Sequence, residues 1–115
     1  MLNYVLKSLE GLLAIIAFIF FCRYLPPEIG CLNNLEDLDL SFNKMKSLPT
    51  EISYLSALIS LKVANNKLVE LPSGLSSLQR LENLDLSNNR LTSLGSLELV
   101  SMHNLQSLNL QVFIY

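Results

Sequence analysis

The sequence has few of the residue types from which catalytic and metal sites are built. Its 115 residues include one histidine, two cysteines and no tryptophan. No serine or cysteine motif places a nucleophile beside His103 and an orienting acid, so His103 is interpreted as a solvent-facing residue and no enzyme is expected. Neither a CxxC motif nor a paired-cysteine spacing occurs. We therefore expect no metal, no cofactor and no disulfide framework, and this cysteine usage favours a reducing compartment.

Charged residues are also sparse, and neither sign is clustered. They form 16% of the chain, and the formal net charge is −2 at pH 7. A nucleic-acid-binding surface would need clustered lysine and arginine, so we expect no nucleic-acid partner. Aromatic residues make up 8% of the chain, whereas hydrophobic residues make up 50%. This length and composition allow one domain at most, with a core of stacked aliphatic side chains.

Leucine, by contrast, returns at a fixed spacing. The frame L-x-x-L-x-L-x-x-N begins at Leu35, Leu58 and Leu81, each 23 residues after the one before, with valine in one leucine position. The half-units "LPPEI", "LPTEI" and "LPSGL" repeat at the same spacing. A fourth strand motif begins at Leu105, one residue late, and Gly95 stands where the earlier units have proline. A period of about 20 to 29 residues with this frame is typical of a leucine-rich repeat.

Over residues 25–110 the chain resembles the leucine-rich repeat superfamily. The 23-residue unit carrying "LPTEI" or "LPSGL" is similar to the intracellular Ras-group repeats, including the plant intracellular Ras-group-related proteins. The resemblance implies a non-catalytic scaffold for protein–protein interaction in intracellular signalling, with a protein partner such as a small GTPase or another signalling component. The sequence has no N-x-S/T acceptor site, which favours an intracellular location over a glycosylated ectodomain.

The repeat predicts an α/β solenoid. Because side chains alternate between the two faces of a strand, the later leucines of each motif share one face, and parallel stacking of the strands buries them. We expect a short parallel β-sheet on the concave face and short helical or irregular turns on the convex face. Asn43, Asn66 and Asn89 form an asparagine ladder at the strand ends. Their inward amides are expected to bond unpaired backbone groups of their own and adjacent repeats.

The outward strand residues are the first candidates for partner binding. Asp39, Lys62 and Asp85 run down the middle of the concave face, either as a charge ladder that keeps this face hydrated or as part of a polar groove. Phe42 would be the aromatic anchor of that groove, since aromatic residues dominate binding hot spots. The predicted outward positions are Asp37, Asp39, Ser41, Phe42, Ser60, Lys62, Ala64, Asn65, Asn83, Asp85, Ser87, Asn88, Ser107, Asn109, Gln111 and Val112.

A second group of candidates is the basic rim, which we define as Lys44, Lys67 and Arg90. Each residue directly follows an asparagine of the ladder, so the three cations are expected to line one edge of the solenoid. Such a stripe would steer an acidic partner. The alternative interpretation is that these are ordinary solvated turn residues.

Residues 1–24 form a separate hydrophobic N-terminal segment, with a continuous apolar run over residues 11–22. The uncharged core from Leu12 to Cys22 is shorter than the about 20 residues that span a membrane. A removable signal peptide is disfavoured because "FIFFCRY" offers no small-x-small cleavage site. An uncleaved anchor helix is one remaining interpretation, which would make the chain a membrane-anchored recognition fragment of receptor-like or defence type.

The other interpretation of the segment is a degenerate first coil. Shifting the ladder back by 23 residues places Leu12, Ile15 and Ala17 in the leucine columns and Phe20 in the asparagine column. Solenoids need atypical terminal units, so such a coil would cover the next repeat. The absence of polar outward positions in "LLAIIAFIFF" favours the anchor helix instead.

The C-terminal residues 111–115 are expected to be an uncapped tail. The run "LNLQVFIY" is apolar to its end, and an open sheet edge above a leucine layer is an aggregation hazard. We therefore expect the chain to be a fragment of a longer repeat protein or to have a partner over this edge.

Overall fold

Four short parallel strands form one sheet in the part of the chain that the structure describes. The computed structural model describes residues 25, 27–95 and 97–111. Strands β1 to β4 lie side by side in chain order. Each coil therefore packs on the coil before it, which confirms the predicted solenoid. The strands are Asp37–Asp39 (β1), Ser60–Lys62 (β2), Asn83–Asp85 (β3) and Ser107–Asn109 (β4).

The register of the sheet aligns the leucines of successive repeats. Leu38 pairs with Leu61, Leu61 with Leu84, and Leu84 with Leu108. The last pair is one residue further apart in sequence than the others, yet its strands stay in register. The inserted residue is therefore absorbed outside the strands, in the connection that crosses the convex side.

The convex side is built from 3₁₀ helices, which confirms the predicted short helical turns. Pro49, in extended conformation with φ −71°, directly precedes the second of them. Gly74 precedes the third with φ 84°, in the left-handed region that glycine adopts without steric cost. These helices are Pro27–Cys31, Thr50–Tyr54, Leu75–Ser77 and Leu99–Ser101.

The core is a column of aliphatic side chains between the sheet and the 3₁₀ helices. Leu38, Leu61 and Leu84 have no solvent exposure, and Ile29 and Ile52 close the core from the convex side with none either. Burying each leucine contributes roughly 1.5 to 3 kcal/mol. The stack of leucine layers is therefore the main source of stability in this fold.

The two ends of the sequence bear on predictions that the fold does not test. The predicted N-terminal hydrophobic helix, within residues 1–24, lies outside the described residues, as does the tail beyond residue 111. Across the ranges that the structure does describe, no helix has the length and apolar character needed to cross a membrane.

Candidate functional site

The asparagine ladder binds neighbouring coils together at the carboxyl ends of the strands. Asn66 is 7% exposed, and its Nδ2 donates to the carbonyl oxygens of Leu40 in the preceding coil, at 2.9 Å, and of Val63, at 3.0 Å. Its Oδ1 accepts the backbone N–H of Met45, again in the preceding coil, at 3.2 Å. One side chain thus satisfies buried donors and acceptors of two coils.

Asn89 makes the same bonds one repeat later. Its Nδ2 donates to the carbonyl oxygens of Val63 at 2.9 Å and Leu86 at 3.1 Å, and its Oδ1 accepts the N–H of Leu68 at 3.1 Å. With 1% exposure, Asn89 has no surface to offer a ligand. The ladder asparagines are accordingly structural groups that hold the site in place.

Asn43 differs from the other two asparagines. Its Nδ2 donates to the carbonyl oxygens of Leu40 at 2.9 Å and Ser41 at 3.2 Å, both within its own coil. Its Oδ1 is buried and has no hydrogen-bond partner. A buried amide oxygen without a donor costs on the order of 1 to 3 kcal/mol, so Asn43 stabilises the fold less than the other two asparagines do.

A shallow groove crosses the concave face at the carboxyl ends of β1, β2 and β3. It contains the central charged column that the sequence predicts and, at one end, the predicted aromatic anchor. Asp37 lies outside it, exposed at the start of β1. The residues that line the groove are Asp39, Ser41, Phe42, Asn43, Lys62, Ala64, Asn65, Asp85 and Ser87.

The two carboxylates of the groove have a structural role that the sequence analysis missed. Oδ1 of Asp39 accepts the N–H of Ser41 at 3.0 Å. Oδ1 of Asp85 accepts both the N–H of Ser87, at 3.0 Å, and its hydroxyl, at 2.7 Å. In each case the bond from the N–H of the serine to the carboxylate two residues earlier closes an Asx turn. The D-x-S pattern in the sequence is the signal that could have revealed these turns. These carboxylates therefore fix the strand ends as well as charging the groove.

Lys62 lies between the two carboxylates in the sheet register, opposite Asp39 on one side and Asp85 on the other. It is exposed, and among the residues that the structure describes no ion pair within 4.0 Å involves it. The ammonium group therefore remains available for a partner. A lysine also cannot close the Asx turn, so β2 lacks the strand-end bond of its neighbours.

Phe42 is the one large apolar side chain of the groove that is exposed, at 76%. Its backbone lies in the left-handed region, with φ 60°. The equivalent residues Asn65 and Asn88 have φ 57° and 54°. Asparagine visits this region far more readily than a bulky side chain does, so the first repeat has a disfavoured residue at a position whose conformation the fold imposes.

Two predicted outward residues lie at the bottom of the groove. Ala64 and Ser87 both line it, as their outward positions predict, but each is only 5% exposed. The hydroxyl of Ser87 is turned onto the carboxylate of Asp85. Small side chains in this column form the floor of the groove, and longer neighbours cover them.

The basic rim occupies equivalent turns of three successive coils. The N–H of Lys67 donates to the carbonyl of Met45 at 2.9 Å, and the N–H of Arg90 donates to that of Leu68 at 2.8 Å. These bonds fix the backbone of Lys67 and Arg90 against the preceding coil. Lys44 and Arg90 are exposed, while Lys67 is half-buried.

The described residues contain no candidate metal site. Across these ranges no group of three or more histidine, cysteine, aspartate or glutamate side chains converges on a point that could hold a metal ion. His103 is exposed on the convex side, and Cys31 is an exposed free thiol. Neither of these two residues lines the groove.

Comparison with known proteins agrees with this geometry. A family model described as a leucine-rich repeat region matches residues 19–114. Among solved structures, a leucine-rich repeat protein from Leptospira interrogans superposes with a TM-score of 0.67 at 33% sequence identity. That match covers 78% of this chain and 29% of the Leptospira chain, so this chain spans less than a third of that protein. No curated protein matches.

Leucine-rich repeat regions are generally protein-interaction modules, and nothing in these matches indicates enzymatic activity. The matched repeat region covers most of the sequence, and the sheet, its register and the asparagine ladder follow the repeat. The chain belongs to the leucine-rich repeat proteins.

Proposed function

We propose that this chain is a scaffold that binds a protein partner through its concave groove, with Phe42 as the anchor. The observation that carries the proposal is the combination of high exposure and left-handed backbone at this one residue. A left-handed conformation costs an L-residue roughly 1 to 2 kcal/mol, and an exposed aromatic ring adds nothing to the core. A residue that strains the backbone and adds nothing to the core is best explained by a gain on binding.

The groove around Phe42 supplies polar contacts of both signs. Asp39 and Asp85 flank the ammonium group of Lys62 in register, and parallel strands set about 4.8 Å between neighbours. A partner segment that lies across the strands would meet an apolar anchor first and alternating charges beyond it. Such a surface selects its partner by register as well as by burial.

Substitution of Phe42 by the residue of the next repeats tests the proposal. Phe42→Asn should raise the free energy of unfolding by about 1 kcal/mol, because asparagine tolerates the left-handed conformation. The substitution should also abolish binding of the partner. The two effects have opposite sign, so a loss of binding could not be attributed to unfolding.

Tyr54→Ser is the matched control for this experiment. Tyr54 is an exposed aromatic residue of the convex side, at 63%, and Ser77 is its equivalent in the next repeat. Proximity labelling of the wild type and both variants, with denaturant titration of each, gives the comparison. Partners lost from Phe42→Asn and kept by Tyr54→Ser would support the groove; identical partner sets for all three chains would exclude it.

The basic rim has its own proposed role, which is to steer an acidic partner toward the groove. Exposed cations act mainly on the association rate, and salt screens them over about 10 Å at 0.1 M ionic strength. Lys44→Gln with Lys67→Gln should therefore slow association several-fold at low salt and little at high salt. If the double variant associated at the wild-type rate at low salt, the rim residues would be ordinary solvated turn residues without a steering role.

The cellular setting is also a proposal. The likeness of the 23-residue unit to Ras-group repeats supports an intracellular signalling scaffold, with a small GTPase or another signalling component as the partner. The exposed thiol of Cys31 is compatible with a reducing compartment. The alternative, a membrane-anchored recognition fragment, depends on residues 11–22; fractionation decides it, since release of the chain by carbonate would exclude a spanning anchor.

A further inference from the structure

The groove of the concave face runs across the strands. Its floor is the column of small side chains at Ser41, Ala64 and Ser87, one from each of three successive coils. In every coil the charged residue of the groove comes two positions before the floor residue. Phe42 comes one position after it in the first coil, on the opposite side of the floor. Because these columns recur from coil to coil, a partner that fills the groove is a rod that lies across the strands.

The charged residues of the groove have a spacing that the sheet sets. Asp39, Lys62 and Asp85 occupy paired positions of β1, β2 and β3. Neighbouring strands lie about 4.8 Å apart, so the charges fall at about 0, 4.8 and 9.6 Å along the groove. The equivalent residue of β4 is the uncharged Asn109, so the charged row of the described sheet ends at β3.

These intervals match an α-helix and not an extended chain. Residues i, i+3 and i+7 share one face of a helix, and a rise of about 1.5 Å per residue sets them at about 0, 4.5 and 10.5 Å. An extended strand presents residues i, i+2 and i+4 on one face, at about 0, 6.6 and 13.2 Å. The helix therefore stays within about 1 Å of the charged row, whereas the strand is about 4 Å out of step at the third charge.

We propose that the partner segment is an α-helix that lies across β1 to β3 and presents a basic, an acidic and a basic residue at i, i+3 and i+7. This inference rests on the proposed function and specifies the partner that the same groove takes. The basic residues face Asp39 and Asp85, and the acidic residue faces Lys62. Opposite charges at this spacing also stabilise the helix itself.

The two carboxylates of the row are fixed in place before a partner arrives. Oδ1 of Asp39 accepts the N–H of Ser41, and Oδ1 of Asp85 accepts the N–H and the hydroxyl of Ser87. Within the part of the chain that the structure describes, Oδ2 of neither carboxylate takes part in a hydrogen bond. Each Oδ2 can accept from a lysine or arginine of the helix while the Asx turn stays closed.

The uncharged part of the groove defines the second stripe of the helix. Ala64 and Ser87 are small and 5% exposed, so the floor leaves room for side chains of the helix to enter the groove. Phe42 is 76% exposed at the β1 end. The helix therefore carries an apolar residue within one turn of the basic residue that faces Asp39, since this residue buries the ring.

Two displayed peptide libraries test the shape of the partner. One has an alanine-rich helical framework and the other a threonine-rich strand framework, both varied among lysine, glutamate, leucine and alanine. Selection on the wild-type protein and counter-selection on Phe42→Asn recovers peptides that depend on the groove. We expect helical peptides with the basic, acidic, basic order at i, i+3 and i+7. Groove-dependent peptides from the strand library alone, or helical ones without this order, would overturn the inference.

Charge reversal at Lys62 tests the register of a selected helical peptide by fluorescence anisotropy. Lys62→Glu should weaken binding on the order of tenfold, because the acidic residue of the peptide then meets a like charge. Arg80→Glu is the matched control, since Arg80 is exposed outside the groove and the net charge changes equally. This control should alter the affinity by less than about twofold. Equal weakening by the two variants would contradict the register.

A reversed peptide, with lysine in place of the central acid, shows whether Lys62→Glu keeps its fold. It should bind Lys62→Glu about as tightly as the original peptide binds the wild type, and Arg80→Glu on the order of tenfold more weakly. Recovery of binding on Lys62→Glu alone supports the placement of the acid opposite Lys62. Failure to recover binding, or equal recovery on both variants, would overturn it.

The outcomes separate the shape of the partner from the existence of the interface. If proximity labelling finds partners that depend on Phe42 while the helical library yields no groove-dependent peptide, the proposed function stands and the helical partner is excluded. If neither the labelling nor either library yields anything that depends on Phe42, the proposed function fails and the helical partner fails with it.

Discussion

The first and last described coils carry the same leucine motif but reach different degrees of burial. Leu38 of β1 has no solvent exposure, whereas Leu108, its equivalent in β4, is half-buried. Both pair with a neighbouring strand in perfect register. The same motif and the same register therefore lead to different burial of a leucine at the two edges of the described sheet.

Truncation of the two equivalent leucines should give the largest difference. Leu38→Ala should lower the free energy of unfolding by about 3 to 5 kcal/mol, because it leaves a cavity in a closed layer. Leu108→Ala should cost about 1 to 2 kcal/mol, since its side chain already meets solvent. Urea titration of both variants measures the gap, and equal losses would mean that the two ends are covered alike.

Removal of ladder asparagines gives the next largest effect. Asn66→Ala leaves the N–H of Met45 and the carbonyl of Leu40 without partners and should cost about 2 to 4 kcal/mol. Asn43→Ala should cost less, about 1 to 2 kcal/mol, because its hydrogen bonds reach only Leu40 and Ser41 of its own coil. Urea titration of both variants gives the comparison, and equal costs would mean that Asn43 is bonded beyond its own coil.

Glycines of the first and last coils respond for different reasons. A Cβ on Gly30 would lie 2.9 Å from the carbonyl oxygen of Glu51 in the next coil, so Gly30→Ala must separate two coils and should cost about 1 to 3 kcal/mol. A Cβ on Gly95 would meet Oγ of Ser93 at 3.7 Å, an ordinary van der Waals contact, but φ is 50°, so Gly95→Ala should cost only about 1 kcal/mol of backbone strain. Thermal unfolding of both variants shows which substitution costs more. A larger loss for Gly95→Ala would mean that backbone strain outweighs the close approach of the two coils.

Strand-end turns should show the smallest difference. Asp39→Ala removes a part-buried bond to the N–H of Ser41 and should cost about 1 kcal/mol. Asn109→Ala removes the equivalent bond to Gln111, which is solvent-exposed, and should cost about 0.5 kcal/mol. Amide exchange at Ser41 and Gln111 reports each turn directly, and unchanged exchange in either variant would contradict its role.

Sequence periodicity predicts the strands and their stacking, because only a stack of parallel strands buries all the leucine columns together. The frame at Leu35, Leu58 and Leu81 places every described strand, and the late start at Leu105 correctly indicates an insertion before β4. Periodicity does not predict local hydrogen bonding within a column. Two features depend instead on which side chain occupies a given position of the repeat. One is the burial of Ala64 and Ser87, and the other is the pair of Asx turns at Asp39 and Asp85.

The candidate site was located by sequence but not characterised by it. Phe42 was singled out as an aromatic residue, while its left-handed backbone follows from the turn that all repeats share. Nor does the pattern distinguish Asn43 from Asn66, because both occupy the same column of the repeat, yet only Asn66 bonds to the preceding coil. In both cases the missing information lies in the neighbour and not in the residue itself.

The extra residue between the third and fourth strand motifs has a practical consequence. Since the sheet keeps its register across it, the loop around Gly95 can change length without disturbing the face opposite. A reporter peptide grafted at this loop would sit on the outside of the arc, away from any bound protein. Other repeat proteins can likewise accept small insertions on the convex side while the concave face stays unchanged.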